Sequence, residues 1–279
     1  MKSRVLRSMA TALLLAASAT SSSAGAWTEK QSAFYEKFSF NYYYAHQSFD
    51  LSGSRKETPN NGRFTDYNVS NYFEFGLLDN LTVINSLSYK WLRNEDDSAL
   101  AKGYGLGDVD LGLRYKLLDS EKVGIVSTQL LVKIPGAYGK NDPLPLGNAQ
   151  WDTELKLLYG RSLYQWFPGY ANLELGYRWR AEDPSDEIRY LVECGVDITK
   201  SVFARVKLDG TLSVDNGRKN DLSGNPTATN NFDLGKLELT AGYQITPALG
   251  VEASYRPDVY GQNTAAGANY SLALYYKTP

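Results

Sequence analysis

The chain repeats one pattern about a dozen times: roughly ten residues in which apolar and polar side chains alternate. In residues 81–93, for example, Leu87 and Trp91 share one parity, whereas Ser88 and Lys90 share the other. The next run, 108–117, repeats the pattern with leucines against charged residues. A helix would spread these charges around its whole circumference. The period of two therefore predicts β-strands with one apolar and one polar face.

The links between the runs are alternately short and long. Twelve strands are predicted, near 34–49, 63–77, 81–93, 104–117, 123–135, 149–160, 169–180, 187–198, 202–214, 231–245, 249–257 and 268–277. The links at one end are 78–80, 118–122, 161–168, 199–201 and 246–248, and those at the other are 50–62, 94–103, 136–148, 181–186, 215–230 and 258–267. A soluble β-sandwich has no reason to sort link lengths in this way. We therefore predict an all-β fold, a transmembrane antiparallel up-and-down β-barrel of about 12 strands with long loops outside.

The first residues have the features of an export signal. Lys2, Arg4 and Arg7 precede a short apolar core at 10–19, and Ala24 and Ala26 fit the small-residue rule for cleavage. The apolar core is too short to span a membrane. We predict a signal peptide over 1–26 and a single barrel domain over 27–279, with 27–33 as a periplasmic lead-in.

Composition excludes several classes of protein and site. The net charge is −2, and no run of basic residues suggests a nucleic-acid partner. The single cysteine, Cys194, allows no internal disulfide and is predicted to face lipid, and one histidine allows no His-rich metal site. No cofactor is expected. The 21 Tyr and 5 Trp fit the aromatic girdles at the two membrane interfaces.

The polar parity of the strands predicts the lumen-facing side chains, and acidic and basic residues are interspersed among them. The candidate lumen-lining residues are Asp108, Asp110, Arg114, Lys133, Asp152, Glu154, Glu174, Arg178, Arg180, Arg189, Arg205, Lys207, Glu238, Glu252 and Arg256. One interpretation is that these charges pair across strands and support the wall; the other is that they line a hydrated passage. Twelve strands leave a narrow lumen, which an infolded loop such as 136–148 or 215–230 can close.

Two short motifs carry a resemblance to a known family. Residues 105–118 read Gly-Leu-Gly-Asp-Val-Asp-Leu-Gly-Leu-Arg-Tyr-Lys-Leu-Leu, and Lys133 begins a Lys-Ile-Pro-Gly sequence at the end of the following strand. Both are similar to a family of bacterial outer-membrane transporters labelled for the meta pathway of phenol degradation. The resemblance implies a monomeric barrel that takes up small molecules, aromatic ones included. Independently of the family, Asp108 and Asp110 are expected to face inward and to form a wall salt bridge with Arg114.

The rival class is an enzyme. His46 and Ser48 share the parity expected to face lipid near the outer rim, which resembles the His-x-Ser of outer-membrane phospholipase A. A histidine within reach of a serine can act as its general base. Here Phe49 and Asp50 follow Ser48, whereas that family continues with Asn-Gly. We expect no enzyme, and keep the lipid hydrolase as an alternative.

The favoured function is an outer-membrane channel or transporter in which small solutes diffuse through a narrow, mixed-charge lumen. A structural or adhesive barrel with a closed lumen is a further alternative. The expected location is the bacterial cell outer membrane. The expected partners are outer-membrane lipid and lipopolysaccharide, the barrel-assembly machinery and a small-molecule solute.

Overall fold

The computed structural model describes residues 25–182, 184–214 and 231–279. The described residues form fourteen strands and one short 3-10 helix, Pro59–Asn61. The strands are β1 (Phe34–Phe49), β2 (Arg55–Glu57), β3 (Arg63–Leu78), β4 (Leu81–Glu95), β5 (Leu100–Leu106), β6 (Val109–Ser120), β7 (Gly124–Ile134), β8 (Asp152–Ser162), β9 (Gly169–Arg180), β10 (Glu187–Asp197), β11 (Val202–Ser213), β12 (Asp233–Gln244), β13 (Leu249–Gln262) and β14 (Thr264–Lys277).

These strands form one sheet that closes on itself. Each wall strand pairs antiparallel with its neighbours, and β1 pairs with β14 from Tyr35↔Lys277 to Phe49↔Thr264. Two segments, β5 and β6, occupy successive parts of one wall position beside β4, and β2 is a short addition beside the end of β1. The wall therefore has twelve positions, and the predicted antiparallel barrel of twelve strands is confirmed.

Three predicted boundaries were wrong. The run 104–117 is interrupted at residues 107–108, where the amide of Gly107 donates to the carbonyl of Ser88 at 2.8 Å. The links 94–103 and 258–267 are mostly strand: β5 begins at Leu100, and only Asn263 separates β13 from β14. Asn263 has a φ of 56°. Asparagine tolerates this left-handed conformation, so a segment with turn-forming composition becomes a tight hairpin instead of a long loop.

The outer surface of the cylinder is apolar and its inner surface is polar. In β6, Leu111, Leu113 and Leu117 are exposed on the outside, whereas Arg114 is 3% exposed inside. Cys194 also lies on the exposed face. An exposed leucine face over a polar interior is the reverse of a soluble β-domain and matches a strand between lipid and lumen.

An aromatic band crosses five adjacent strands on the outer face. The cross-strand register aligns Trp91, Tyr67, Tyr42, Tyr270 and Tyr255 in one row. The rings of Tyr42 and Tyr67 stack with centroids 4.7 Å apart, and those of Tyr255 and Tyr270 are 5.2 Å apart. Such rows of amphipathic rings are typical of the interface between hydrocarbon and headgroups. No helix within the described ranges is long and apolar enough to cross a membrane.

Candidate functional site

The predicted lumen-lining residues are all buried or partly buried in the structure. Six of these residues are buried: Arg114, Lys133, Asp152, Glu154, Arg205 and Glu252. The other nine are partly buried: Asp108, Asp110, Glu174, Arg178, Arg180, Arg189, Lys207, Glu238 and Arg256. Because the strands alternate, one parity places all of these charges within a single enclosed volume.

The first group of ion pairs lies on β8 and β9 and their neighbours. Carboxylate oxygens of Glu154 lie 2.7 Å from the guanidinium of Arg178 and 3.1 Å from the ammonium of Lys156. The ammonium of Lys156 also lies 3.3 Å from the carboxylate of Glu174. The side chain of Glu154 is 1% exposed. A carboxylate this buried needs such partners to offset the cost of leaving water.

A second group lies on β10–β13 and β1, and it begins on the strand next to β9. Arg205 contacts Glu252 at 2.8 Å and Glu193 at 3.7 Å, and Lys37 approaches Glu252 at 3.6 Å. Next to them, Lys207 pairs with Glu238 at 3.1 Å, and Arg256 pairs with Asp209 at 2.7 Å. These contacts link the walls into a charged network instead of leaving single charges in the lumen.

The segment before β1 lies in the lumen, so the expectation of a periplasmic lead-in at 27–33 was wrong. Arg114 donates from Nη1 to the carbonyl of Trp27 at 2.9 Å, and the amide of Glu29 donates to Oγ1 of Thr82 at 2.8 Å. Upstream, the amide of Ala26 donates to Oδ1 of Asn172 at 3.1 Å. The segment therefore narrows the passage at the end of the barrel where β1 begins.

Two inward-facing glycines make room for this segment. A Cβ added to Gly76 would lie 1.9 Å from the carbonyl oxygen of Lys30, and one added to Gly160 would lie 2.7 Å from the ring of Trp27. The indole of Trp27 also meets the ring of Tyr170 edge-on at 5.7 Å. Glycines on the polar parity near the strand ends were the sequence signal for this insertion. Sequence reasoning missed it because glycine is frequent in this chain.

A long link at the opposite end also turns inward. Between β7 and β8, residues 135–151 bring Leu144 and Leu146 against Phe64 and Leu92, and all four are buried. The ammonium of Lys90 donates to the carbonyl of Leu146 at 3.0 Å. The link predicted at 136–148 thus enters the lumen, whereas the link at 215–230 lies outside the described residues.

The side chain of Asp108 holds this inward link in place. It also connects the two sequence motifs, because Asp108 belongs to the first motif and its partners Lys133 and Gly136 belong to the second. Its carboxylate accepts the amide of Gly136 at 3.2 Å and the hydroxyl of Tyr138, and Lys133 lies at 3.5 Å. Burial and the bond to Asp108 raise the pKa of Tyr138, which keeps its hydroxyl protonated as the donor.

The predicted salt bridge between Arg114 and the aspartates of the same strand was wrong. Arg114 pairs with Glu74 on β3 at 3.1 Å. Asp110 and Arg114 are four residues apart on one extended strand, which separates them by about 13 Å. A partner two strands away in the sheet, on the far side of β4, is therefore closer than one along the strand.

A cavity remains inside the barrel. Its volume is about 290 Å³, and it reaches from β1 and β3 to β10–β14. Its lining includes three cationic side chains and two carboxylates: Arg189, Lys236, Arg256, Asp66 and Asp258. The lumen is thus narrowed from both ends but not filled.

The rival catalytic pair, His46 and Ser48, lies near the end of β1. The ring of His46 is half-exposed, and its Nε2 lies 3.9 Å from a carboxylate oxygen of Glu57. Its ring centroid lies 5.6 Å from that of Tyr44. Within the described residues no hydrogen bond joins His46 to Ser48, although a Ser–His nucleophile depends on one. A bulge in the pairing with β14, between Ala45 and Gln47, locally disturbs the spacing. The described part of the chain also contains no group of three His, Cys, Asp or Glu side chains able to hold a metal ion.

The geometry defines a class: closed antiparallel barrels with a lipid-type outer surface and a charged interior, the architecture of outer-membrane β-barrels. No protein-family model and no curated protein sequence matches the chain. The resemblance to the transporters labelled for phenol degradation therefore remains a resemblance of two motifs.

Solved structures do match. The chain is similar to the COG4313 outer membrane channel from Pseudomonas putida F1, with a TM-score of 0.73 and 15% identity, over 91% of this chain and 98% of that one. It is also similar to the translocator domain of the autotransporter NalP from Neisseria meningitidis, with a TM-score of 0.52 and 12% identity, over 99% and 98% of the two chains. The NanC porin follows with a TM-score of 0.50 and 10% identity, over 88% of this chain and 100% of that one. At these identities the similarity establishes a common fold.

Proposed function

We propose that this protein is an outer-membrane channel that lets small solutes diffuse through a narrow, mixed-charge lumen. The observation that carries the proposal is the residual cavity of about 290 Å³ inside the charged barrel, lined by β1, β3 and β10–β14. A barrel of this strand number that served only as a support would be expected to fill its interior with side chains.

The charged lining supports passage of polar solutes. Side chains of both signs project from facing strands, so fixed charge is available all along the interior. Such rings of charge bias which ions and solutes enter. The inserted segment at 25–33 and the inward link at 135–151 set the narrowest points. They restrict passage to small molecules, including small aromatic or hydrophobic ones.

The outer surface of the barrel supports a location in the bacterial outer membrane. The proposed signal peptide directs export of the chain. Exposed leucines and the aromatic band form the proposed contact surface for the lipid and lipopolysaccharide of that membrane. The last strand, β14, ends in Tyr275, Tyr276 and Lys277, close to the aromatic terminus that barrel assembly prefers. The barrel-assembly machinery is therefore the proposed insertion partner.

One observation favours the alternative of a closed structural barrel. The ion pairs around Glu154 and Arg205 bridge neighbouring strands and use much of the interior. A paired wall still leaves a passage if its pairs lie against the strands. Conductance therefore decides between the two functions.

Planar-bilayer recording tests the proposal directly. The purified barrel should give steady single-channel conductance, and a variant lacking residues 27–33 should give a larger one. The matched control deletes the exposed residues 52–54 of the β1–β2 turn, which is expected to leave the conductance unchanged. A silent wild type together with a silent 27–33 deletion would refute the channel and favour the closed barrel.

A further inference from the structure

We propose that the cavity lined by β1, β3 and β10–β14 binds a small organic carboxylate that has an aromatic or apolar body. This inference rests on the proposed channel function, because the cavity lies inside the barrel that forms the proposed channel. It adds a substrate class to that function.

The cavity contains cationic groups that the protein does not neutralise by contact. Within the described residues, Lys236 makes no hydrogen bond and no ion pair. Arg189 has one long contact, 3.4 Å to Glu187, and Arg180 holds the same carboxylate at 3.1 Å. Most other interior cations have a closer carboxylate of their own. Lys236 and most of the Arg189 guanidinium therefore remain available as donors.

The two donors are close in the sheet. Arg189 on β10 is paired with Thr211 on β11, and Thr211 is paired with Leu234 on β12, two residues before Lys236. Both side chains line the same cavity, so their like charges repel each other. An anion placed between them relieves that repulsion and supplies the missing acceptors. A carboxylate suits this position since it offers two oxygens to two donors.

The carboxylates of the lining do not compete for the same role. Asp258 accepts the hydroxyl of Tyr43 at 2.7 Å and the amide of Gly267 at 2.9 Å. Asp66 accepts the amide group of Asn68 at 3.0 Å. These bonds hold both acids against β1, β3 and β14. Asp66 on β3 thus lies across the cavity from β10–β12. Asp258 is the cross-strand neighbour of Lys236, but its Oδ2 is already bonded to Tyr43 and Gly267 on the β1–β14 side.

The rest of the lining is apolar enough for a ring or a short chain. Tyr43, Phe64, Phe232 and Leu234 all contribute to the cavity. Its volume, about 290 Å³, is at the small end of the roughly 300–1,000 Å³ range of ligand pockets. The combination of paired cationic donors at one side and aromatic side chains at the other fits a compact monocarboxylate such as benzoate.

Ligand-observed NMR on the detergent-solubilised full barrel tests this assignment. The probes are benzoate, its uncharged analogue benzamide and the cation benzylammonium. We expect benzoate to bind most tightly. The double variant Lys236→Gln/Arg189→Gln should weaken benzoate at least about tenfold and leave benzamide unchanged, since charge-assisted bonds to an anion are worth at least that factor. The matched control is Lys156→Gln, which removes a lumen charge outside this cavity and should leave benzoate affinity within about twofold.

The outcomes separate the site from the channel. Benzoate that binds no better than benzamide, or that is equally weakened by Lys156→Gln, overturns the site even if the barrel conducts. Tightest binding of benzylammonium overturns it as well. Specific binding without any conductance supports the site and refutes the channel. Heat-dependent gel migration confirms that each variant is folded before it is scored.

Discussion

Replacing Arg114 by methionine is expected to destabilise the barrel by about 3–5 kcal/mol, the usual cost of removing one partner of a buried ion pair. The side chains of Arg114 and Glu74 are 4% and 1% exposed, and Nη1 lies 3.1 Å and 3.2 Å from the two carboxylate oxygens. The same guanidinium donates to the carbonyl of Trp27 at 2.9 Å and to Gln129 at 3.2 Å. The substitution therefore leaves the buried carboxylate of Glu74 without its cationic partner. It also removes the hydrogen bond to Trp27 that helps to hold the inserted segment.

Urea unfolding in phospholipid vesicles measures the effect. With a denaturant slope near 3 kcal/mol/M, a loss of about 3 kcal/mol lowers the unfolding midpoint by about 1 M. The companion change Glu74→Gln should cost less, because the new amide oxygen can still accept from Arg114, and the carbonyl of Trp27 and Gln129 remain as acceptors for the guanidinium. In the double variant Arg114→Met/Glu74→Met, most of the lost stability should return, since no buried charge remains unpaired.

An exposed ion pair supplies the control. Arg93 and Glu95 lie 2.6 Å apart near the loop end of β4, with side chains 48% and 27% exposed. The variant Arg93→Met should barely move the midpoint, because solvent screens the pair. If Arg114→Met shifted the midpoint no further than Arg93→Met, burial would not be the source of the cost and the reasoning would fail.

Other predictions concern the inserted segment, the inward link and selectivity. Gly160→Leu should displace Trp27 and increase single-channel conductance, and an unchanged conductance would mean that the segment does not limit flow. Tyr138→Phe removes a donor to Asp108 and should speed protease cleavage within 135–151; equal cleavage rates would show that another contact holds the link. A third variant neutralises three interior arginines, Arg178, Arg180 and Arg205. Its reversal potential should shift toward cation preference, and no shift would place these side chains off the permeation route.

Local sequence determined the strands and their two faces. Alternation along a strand fixes which side chains point inward, so Arg114, Lys133 and Glu252 were assigned to the interior from parity alone. The number of wall strands followed in the same way, from counting runs and links. Boundaries failed where one residue decided the backbone path, as Asn263 does between β13 and β14.

Tertiary structure decided which of these charges meet and what enters the lumen. The alternation of side chains places Asp108 and Arg114 on one face. In the closed barrel, however, Arg114 pairs with Glu74, and Asp108 accepts a hydrogen bond from the inward link. The insertion of residues 25–33 depends on the open space beside Gly76 and Gly160. A one-dimensional pattern carries the direction of each side chain and no distances across the cylinder, so these contacts exist only once twelve strands have closed around them.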